Sequence, residues 1–312
     1  MPTLSRRSFI QLSGAAGIAS ALPKEAAAVP PRLPIELGVV VRVPAEADPD
    51  ATIAHVHDLG FSTCQVGIGN LASRSLPETS DRLKKALGKY GVRATAVMEL
   101  GPGLMVWNFY QGPQTIGIIP PDTRQARIAA LKRAADLAAL SDIPAIHTHC
   151  GFIPENPSDP LYPRAVAAVR EVAVHCKQQG RVFLCETGQE TPITLLRMIR
   201  DTGQENIFVN LDLANLILYG KGNPVDALDV IGPLVRGMHA KDGEFPTDPK
   251  NLGKEVPIGQ GKVDFCEVLR KLKALNYQGP MTIEREIKGP RQTSDILASK
   301  SYLAKLIVEA YS

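Results

Sequence analysis

Aromatic side chains are scarce in this chain: Phe, Trp and Tyr make up 5% of its 312 residues, and Trp107 is the one tryptophan. No stretch interleaves Lys and Arg with aromatics, and the net charge is only +3, so nothing points to a nucleic-acid partner. No G-x-G-x-x-G follows a first strand and no G-x-x-x-x-G-K-S/T occurs anywhere. The main signatures of dinucleotide and nucleoside-triphosphate binding are therefore missing. The five cysteines, Cys64, Cys150, Cys176, Cys185 and Cys266, are odd in number, widely spaced and never in a C-x-x-C. Buried free thiols are expected, not a disulfide framework or a thiolate zinc site. Only Cys150, next to His149, has a claim beyond packing. Runs of the roughly 18 to 20 apolar residues that a membrane span needs are absent too, so no span is expected.

What is present fits an ordinary globular protein, with 44% hydrophobic and 21% charged residues. The first residues stand apart. Ser5-Arg6-Arg7-Ser8-Phe9-Ile10 is followed by a weakly apolar, small-residue run over 12–22 and by Ala26, Ala27 and Ala28. A basic pair, a modest apolar core and an A-x-A-like end are the features of a secretory signal. The twin arginines with Phe9 resemble the signal of the twin-arginine export route. Residues 1–28 are read as that signal peptide and 29–312 as one folded domain, exported to the periplasm.

Beyond the leader, short apolar runs alternate with helical patterns. Strands are expected at 35–41, 63–68, 92–98, 143–147, 181–185, 207–211, 235–242 and 280–283. Helices are expected at 48–59, 78–90, 123–140 (capped by Asp122), 163–179, from Thr191-Pro192, from Asn223-Pro224, at 264–275 and at 295–310. The segment 101–121, with Trp107, Phe109 and Tyr110, reads as a long loop. Eight strands alternating with helices at about 30 residues per repeat fit a single closed (β/α)8 barrel, whose usual length is about 250 residues.

Such a barrel gathers its chemistry where the strands end. Strands five to eight close on Glu186, Asp212, His239 and Glu284. Three carboxylates and an imidazole at one mouth repel or compete unless a cation sits among them. An oxygen-rich set with one nitrogen suits one divalent ion, Mn²⁺, Mg²⁺, Co²⁺ or Zn²⁺. Each residue also has a plainer reading: Asp212 as the cap of the next helix, Glu284 as part of a solvated Glu284-Arg285-Glu286 cluster.

The motifs Phe183-Leu184-Cys185-Glu186, Asn210-Leu211-Asp212, His239-Ala240-Lys241-Asp242 and Thr282-Ile283-Glu284 resemble those of the xylose isomerase-like TIM barrel superfamily. That group takes in sugar isomerases, ketose 3-epimerases, inosose dehydratases and apurinic endonucleases. The resemblance implies that Glu186, Asp212, His239 and Glu284 bind one divalent metal and that Glu186 and Glu284 are an acid–base pair. It also implies dimers or tetramers. Asn215 and Lys250 stand where the endonuclease branch has histidines, which argues against phosphodiester cleavage. Asn215 also replaces a substrate-reading histidine of the ketose 3-epimerases.

The expected chemistry is α-proton abstraction from a keto- or aldo-sugar through a metal-stabilised enediolate. Proton return on carbon gives isomerisation or epimerisation, and loss of a β-group gives a lyase or dehydratase. An exported carbohydrate-binding protein is the non-enzyme alternative. Substrate contacts are assigned to His149, Lys241, Gln189 and Trp107. For His149 the alternative is an ordinary loop histidine, for Lys241 a surface salt bridge with Asp242, and for Trp107 a packing role outside the barrel.

Overall fold

The computed structural model describes residues 33–312, so the leader expected over 1–28 lies outside the described residues. Eight parallel strands close into a barrel: β1 (Leu37–Val43), β2 (Thr63–Ile68), β3 (Arg93–Met98), β4 (Ala145–His149), β5 (Val182–Glu186), β6 (Ile207–Asp212), β7 (Val235–Ala240) and β10 (Met281–Ile283). Closure is made by β1 pairing with β10, with Leu37 opposite Met281 and Val39 opposite Ile283. A two-stranded ribbon, β8 (Asp242–Gly243) with β9 (Glu255–Val256), lies in the connection after β7.

The expected (β/α)8 barrel is what forms, and each strand differs from its expected span only at the ends. The fourth begins at Ala145, not 143, because Pro144 has no N–H for the ladder. At its other end it runs on to His149, level with Glu186 of β5, and the alternation of side chains sends His147 and His149 to the same, inward face.

The helices are α1 (Pro49–Asp58), α2 (Leu76–Tyr90), α3 (Gly112–Thr115), α4 (Pro121–Leu140), α5 (Tyr162–Gln178), α6 (Pro192–Thr202), α7 (Leu213–Leu218), α8 (Pro224–Ile231), α9 (Phe265–Ala274) and α10 (Pro290–Tyr311). Thr191 and Asn223 cap α6 and α8 by accepting from the N–H groups of Thr194 and Val225, as their Thr-Pro and Asn-Pro pairs predict. Asp122 is not the cap of α4. Pro120 takes that position and Pro121 opens the helix, leaving Asp122 in the first turn, where a negative charge suits the helix dipole. Pro290 likewise starts α10 five residues earlier than expected.

The core lies between the barrel and its helices, where Val39, Val66, Val97, Ile146, Phe183, Val209 and Met281 are buried. Inside the barrel, Ala96, Ala145 and Leu184 form an apolar layer below the polar residues at the mouth. Among the described residues no helix is long and apolar enough to cross a membrane. The cysteines are free. Four are buried as expected, while Cys266 on α9 is exposed. Cys150 loses its claim to reactivity: it is fully buried, and hydrogen bonding to Cys185 together with burial pushes its thiol well above the usual range.

Candidate metal and acid–base centre

Side chains at the ends of four neighbouring strands meet at the C-terminal mouth of the barrel. Glu186 ends β5, Asp212 ends β6, His239 lies in β7 level with Asp212, and Glu284 follows β10. One ligating atom from each falls within 4.8 Å of the other three. Nδ1 of His239 is 3.0 Å from Glu186 Oε1, 3.4 Å from Glu284 Oε2 and 3.5 Å from Asp212 Oδ2. It meets none of them in hydrogen-bond geometry, and Asp212 Oδ2 also lacks a partner. Glu186, Asp212 and His239 are buried, whereas 12% of the Glu284 side chain stays exposed.

Asp212 uses its two oxygens differently. Oδ1 caps α7 by accepting from the N–H of Asn215 at 2.7 Å, while Oδ2 turns toward His239. The Thr187 hydroxyl fixes the backbone there. It donates to the carbonyl of Asp212 at 3.0 Å and accepts from its N–H at 2.9 Å, tying the ends of β5 and β6 together.

The electrostatics follow from so many charges in a dry site. Burial alone would neutralise Glu284, but Lys241 and His239 outweigh it and hold the carboxyl well below the usual range. Burial opposes the ionised form of Glu186 too, and His149, His239 and His147 together reverse that. Asp212 is pushed up to about 6 by burial, against the pull of Lys241. For His239, burial disfavours the cation, yet Glu186 and Glu284 carry its ring well above the ordinary histidine range. His239 Nδ1 and Asp212 Oδ2, buried 3.5 Å apart and both without a hydrogen-bond partner, lie where a bound cation could take the place of the ring proton. One nitrogen with three carboxylates is a donor set that hard and borderline divalent ions accept. The residues present fit one such ion.

The residues expected to touch substrate border this cluster. His149 Nε2 is 3.5 Å from Glu186 Oε1, and its Nδ1 lies 3.3 Å from Gln189 Nε2. Trp107 packs edge-on to the His149 ring with centroids 5.2 Å apart. Lys241 is buried and donates to Glu284 Oε2 at 3.1 Å and Asn215 Oδ1 at 3.4 Å, with Glu286 Oε2 at 2.8 Å. The salt bridge between Lys241 and Asp242 does not form. Asp242 turns instead into its own loop and accepts from the N–H groups of Gly243, Gly259, Gly261 and Val263.

Phe109 packs against Tyr219, and Tyr110 stands exposed under Lys250. The 101–121 segment, which includes α3, is pinned to the connection after β7 by an Asn108–Asn251 bridge and a Phe109 N–H to Lys250 carbonyl bond.

Two residues at this centre were not expected. His147 places Nδ1 3.1 Å from Glu186 Oε2, and with Glu186 and His239 it makes a second set of possible ligands. Its Nδ1 is taken by the other oxygen of Glu186, so the set with Asp212 and Glu284 holds two unpartnered atoms, His239 Nδ1 and Asp212 Oδ2, while His147 Nε2 is a third. Its signal was spacing, two residues before His149 in one strand. Gln65 accepts from His239 Nε2 at 2.6 Å. A lone amide in the buried run Thr63-Cys64-Gln65-Val66 was the clue. A cavity of about 490 Å³ lies between β1, α1 and the start of α10, away from this cluster.

A family profile described as xylose isomerase-like TIM barrel matches residues 53–305. A xylose isomerase domain protein from Planctomyces limnophilus is 30% identical, with a TM-score of 0.80 over 89% of this chain and 99% of that one. Two more distant structures share the fold. One is a xylose isomerase-like TIM barrel protein from Mycobacterium smegmatis in complex with magnesium (18% identical, TM-score 0.66, covering 89% and 98%). The other is a 3-keto-D-glucoside 4-epimerase from E. coli (15%, 0.64, 87% and 99%). Among curated proteins, an uncharacterised protein of Methanocaldococcus jannaschii is 26% identical over 194 residues, and the match spans 63% of that relative. The chain belongs to the xylose isomerase-like TIM barrel family.

Proposed function

We propose that this protein is a divalent-metal-dependent sugar isomerase or epimerase, with Glu186, Asp212, His239 and Glu284 as metal ligands. The observation that carries this reading is the unpartnered pair, His239 Nδ1 and Asp212 Oδ2, buried between Glu186 and Glu284. Epimerases of the same fold lend it support. When bound, the cation polarises a substrate carbonyl and makes the neighbouring C–H proton easier to remove.

The chain's own residues do the rest. Glu186 and Glu284 are the acid–base pair: one carboxylate takes the α-proton and the other returns a proton on the adjacent carbon or the opposite face. Lys241 is a positioning residue, its donors occupied by Glu284, Glu286 and Asn215, so it orients Glu284 and keeps it ionised. His149 and Gln189, in contact with each other beside Glu186, bind a hydroxyl of a small carbohydrate, and Trp107 covers a sugar face.

Incubating the Mn²⁺-loaded protein with ketoses and 3-keto-glycosides in D₂O tests the proposal. Deuterium should appear at an α-carbon without loss of a group, and Glu186→Gln should abolish it. An unsaturated product would replace this reading with a lyase. A protein that binds sugar but takes up neither metal nor deuterium would be a carbohydrate-binding protein. The leader supports a further proposal, that the protein is exported to the periplasm through its Arg6-Arg7 signal, which cell fractionation decides.

A further inference from the structure

Gln65 lies on β2, across the barrel from β7, and is buried. Its Oε1 accepts from His239 Nε2 at 2.6 Å, and its Nε2 donates to Asn210 Oδ1 at 2.9 Å. Asn210, on β6, sits level with Glu186 on one side and Gly237 on the other. Glycine at 237 is what gives it room, since a Cβ there would fall 2.4 Å from Asn210 Oδ1. The chain of bonds has a direction. Asn210 Oδ1 can only accept, so Gln65 turns its NH₂ toward it and leaves its carbonyl oxygen for the imidazole. His239 must then keep a proton on Nε2, whatever Nδ1 holds.

We propose that Gln65, oriented by Asn210, is the positioning residue that locks the His239 ring with Nε2–H inward and Nδ1 presented to Glu186, Asp212 and Glu284. The inference rests on the metal reading above. Ligating histidines are commonly fixed through the other ring nitrogen, and loss of that partner costs about 10–100-fold in metal affinity. The ring is also steadied by His147, which stands nearly perpendicular to it at 5.3 Å.

Two variants separate positioning from packing. Gln65 borders a cavity of about 280 Å³ at the floor of the barrel, so Gln65→Leu can be accommodated while removing the acceptor. Gln65→Glu retains an acceptor, and Asn210 Nδ2, which now has no partner, can turn to meet it. Mn²⁺ titration should show affinity about 10–100-fold weaker in Gln65→Leu and within a few-fold of wild type in Gln65→Glu. The thermal midpoints in EDTA report whether each variant is folded. In metal-free, ¹⁵N-histidine-labelled protein, a protected Nε2–H signal that disappears in His239→Gln should be present in wild type and exchange rapidly in Gln65→Leu. Wild-type affinity in Gln65→Leu, or equal weakness in both variants, would overturn the proposal. Should the wild type bind no Mn²⁺, the metal reading fails first. The proton signal still decides the lock, and a His239 protonated only at Nδ1 would refute it.

Discussion

Glu190 is the residue at this end of the barrel with the least company: it is buried and neither carboxylate oxygen has a partner. Burial, reinforced by Glu155, pushes its carboxyl up to about 8 from an ordinary 4.5. Between those values the folded protein holds a proton that the unfolded chain has released. Stability from this group is therefore present below pH 4.5 and is lost as pH rises through about 8. Glu190→Gln removes the effect. Urea unfolding of the two proteins should show a gap opening in the variant's favour from about pH 5 to about pH 8.5, reaching a few kcal/mol. A gap that does not change with pH would show that Glu190 is already ionised in the fold. Nothing in Gly188-Gln189-Glu190-Thr191 announces that burial. A glutamate beside a helix start reads as solvated, and only the packed fold reveals it. Glu186, Asp212, His239 and Glu284 were legible because each closes an apolar run. Gln65 and His147 were less so, because their importance depends on which strands face each other across the barrel.

At the scale of elements, strands announced themselves through Val, Ile and Leu runs, while their ends did not. Pro144 moved one start by removing an N–H, and at the other end of the same strand pairing with Glu186 carries the ladder to His149, on an inward strand position instead of in a loop. The connection after β7 was the least legible stretch. Its organiser is Asp242, whose carboxylate accepts four backbone N–H groups from Gly243, Gly259, Gly261 and Val263. The loop closes tightly around it: a Cβ on Gly261 would fall 2.2 Å from Asp242 Oδ1. Asp242→Ala leaves these donors unmatched, at a cost on the order of 2–3 kcal/mol. The expected outcome is a lower urea midpoint and new proteolytic cuts within 244–258, with Mn²⁺ affinity little changed because no ligand depends on Asp242. A tenfold loss of Mn²⁺ affinity would instead make the carboxylate part of the metal centre.

For the whole molecule, barrel closure followed from counting eight repeats, since eight parallel strands with intervening helices have a right-sized closed solution. The cysteines bear on the export proposal. Cys64, Cys150, Cys176 and Cys185 are buried and unpaired, an arrangement that survives an oxidising compartment when the chain is folded before it arrives. In a bacterium with an intact twin-arginine system, the wild-type protein should be recovered from the periplasm, and a variant carrying Arg6→Lys and Arg7→Lys should stay in the cytoplasm. Periplasmic recovery of both would rule that route out. The way Asp242 holds its loop has a consequence on a longer timescale. The tether grips peptide groups at the two ends of the connection, Gly243 on one side and Gly259, Gly261 and Val263 on the other, while between them the Glu255 carboxylate pairs with Arg285 and Gly253 has no room for a Cβ. Substitutions at the exposed positions over 247–251 can accumulate without disturbing Glu186, Asp212, His239 or Glu284, so the connection can diverge in sequence while the four strand-end residues are inherited intact.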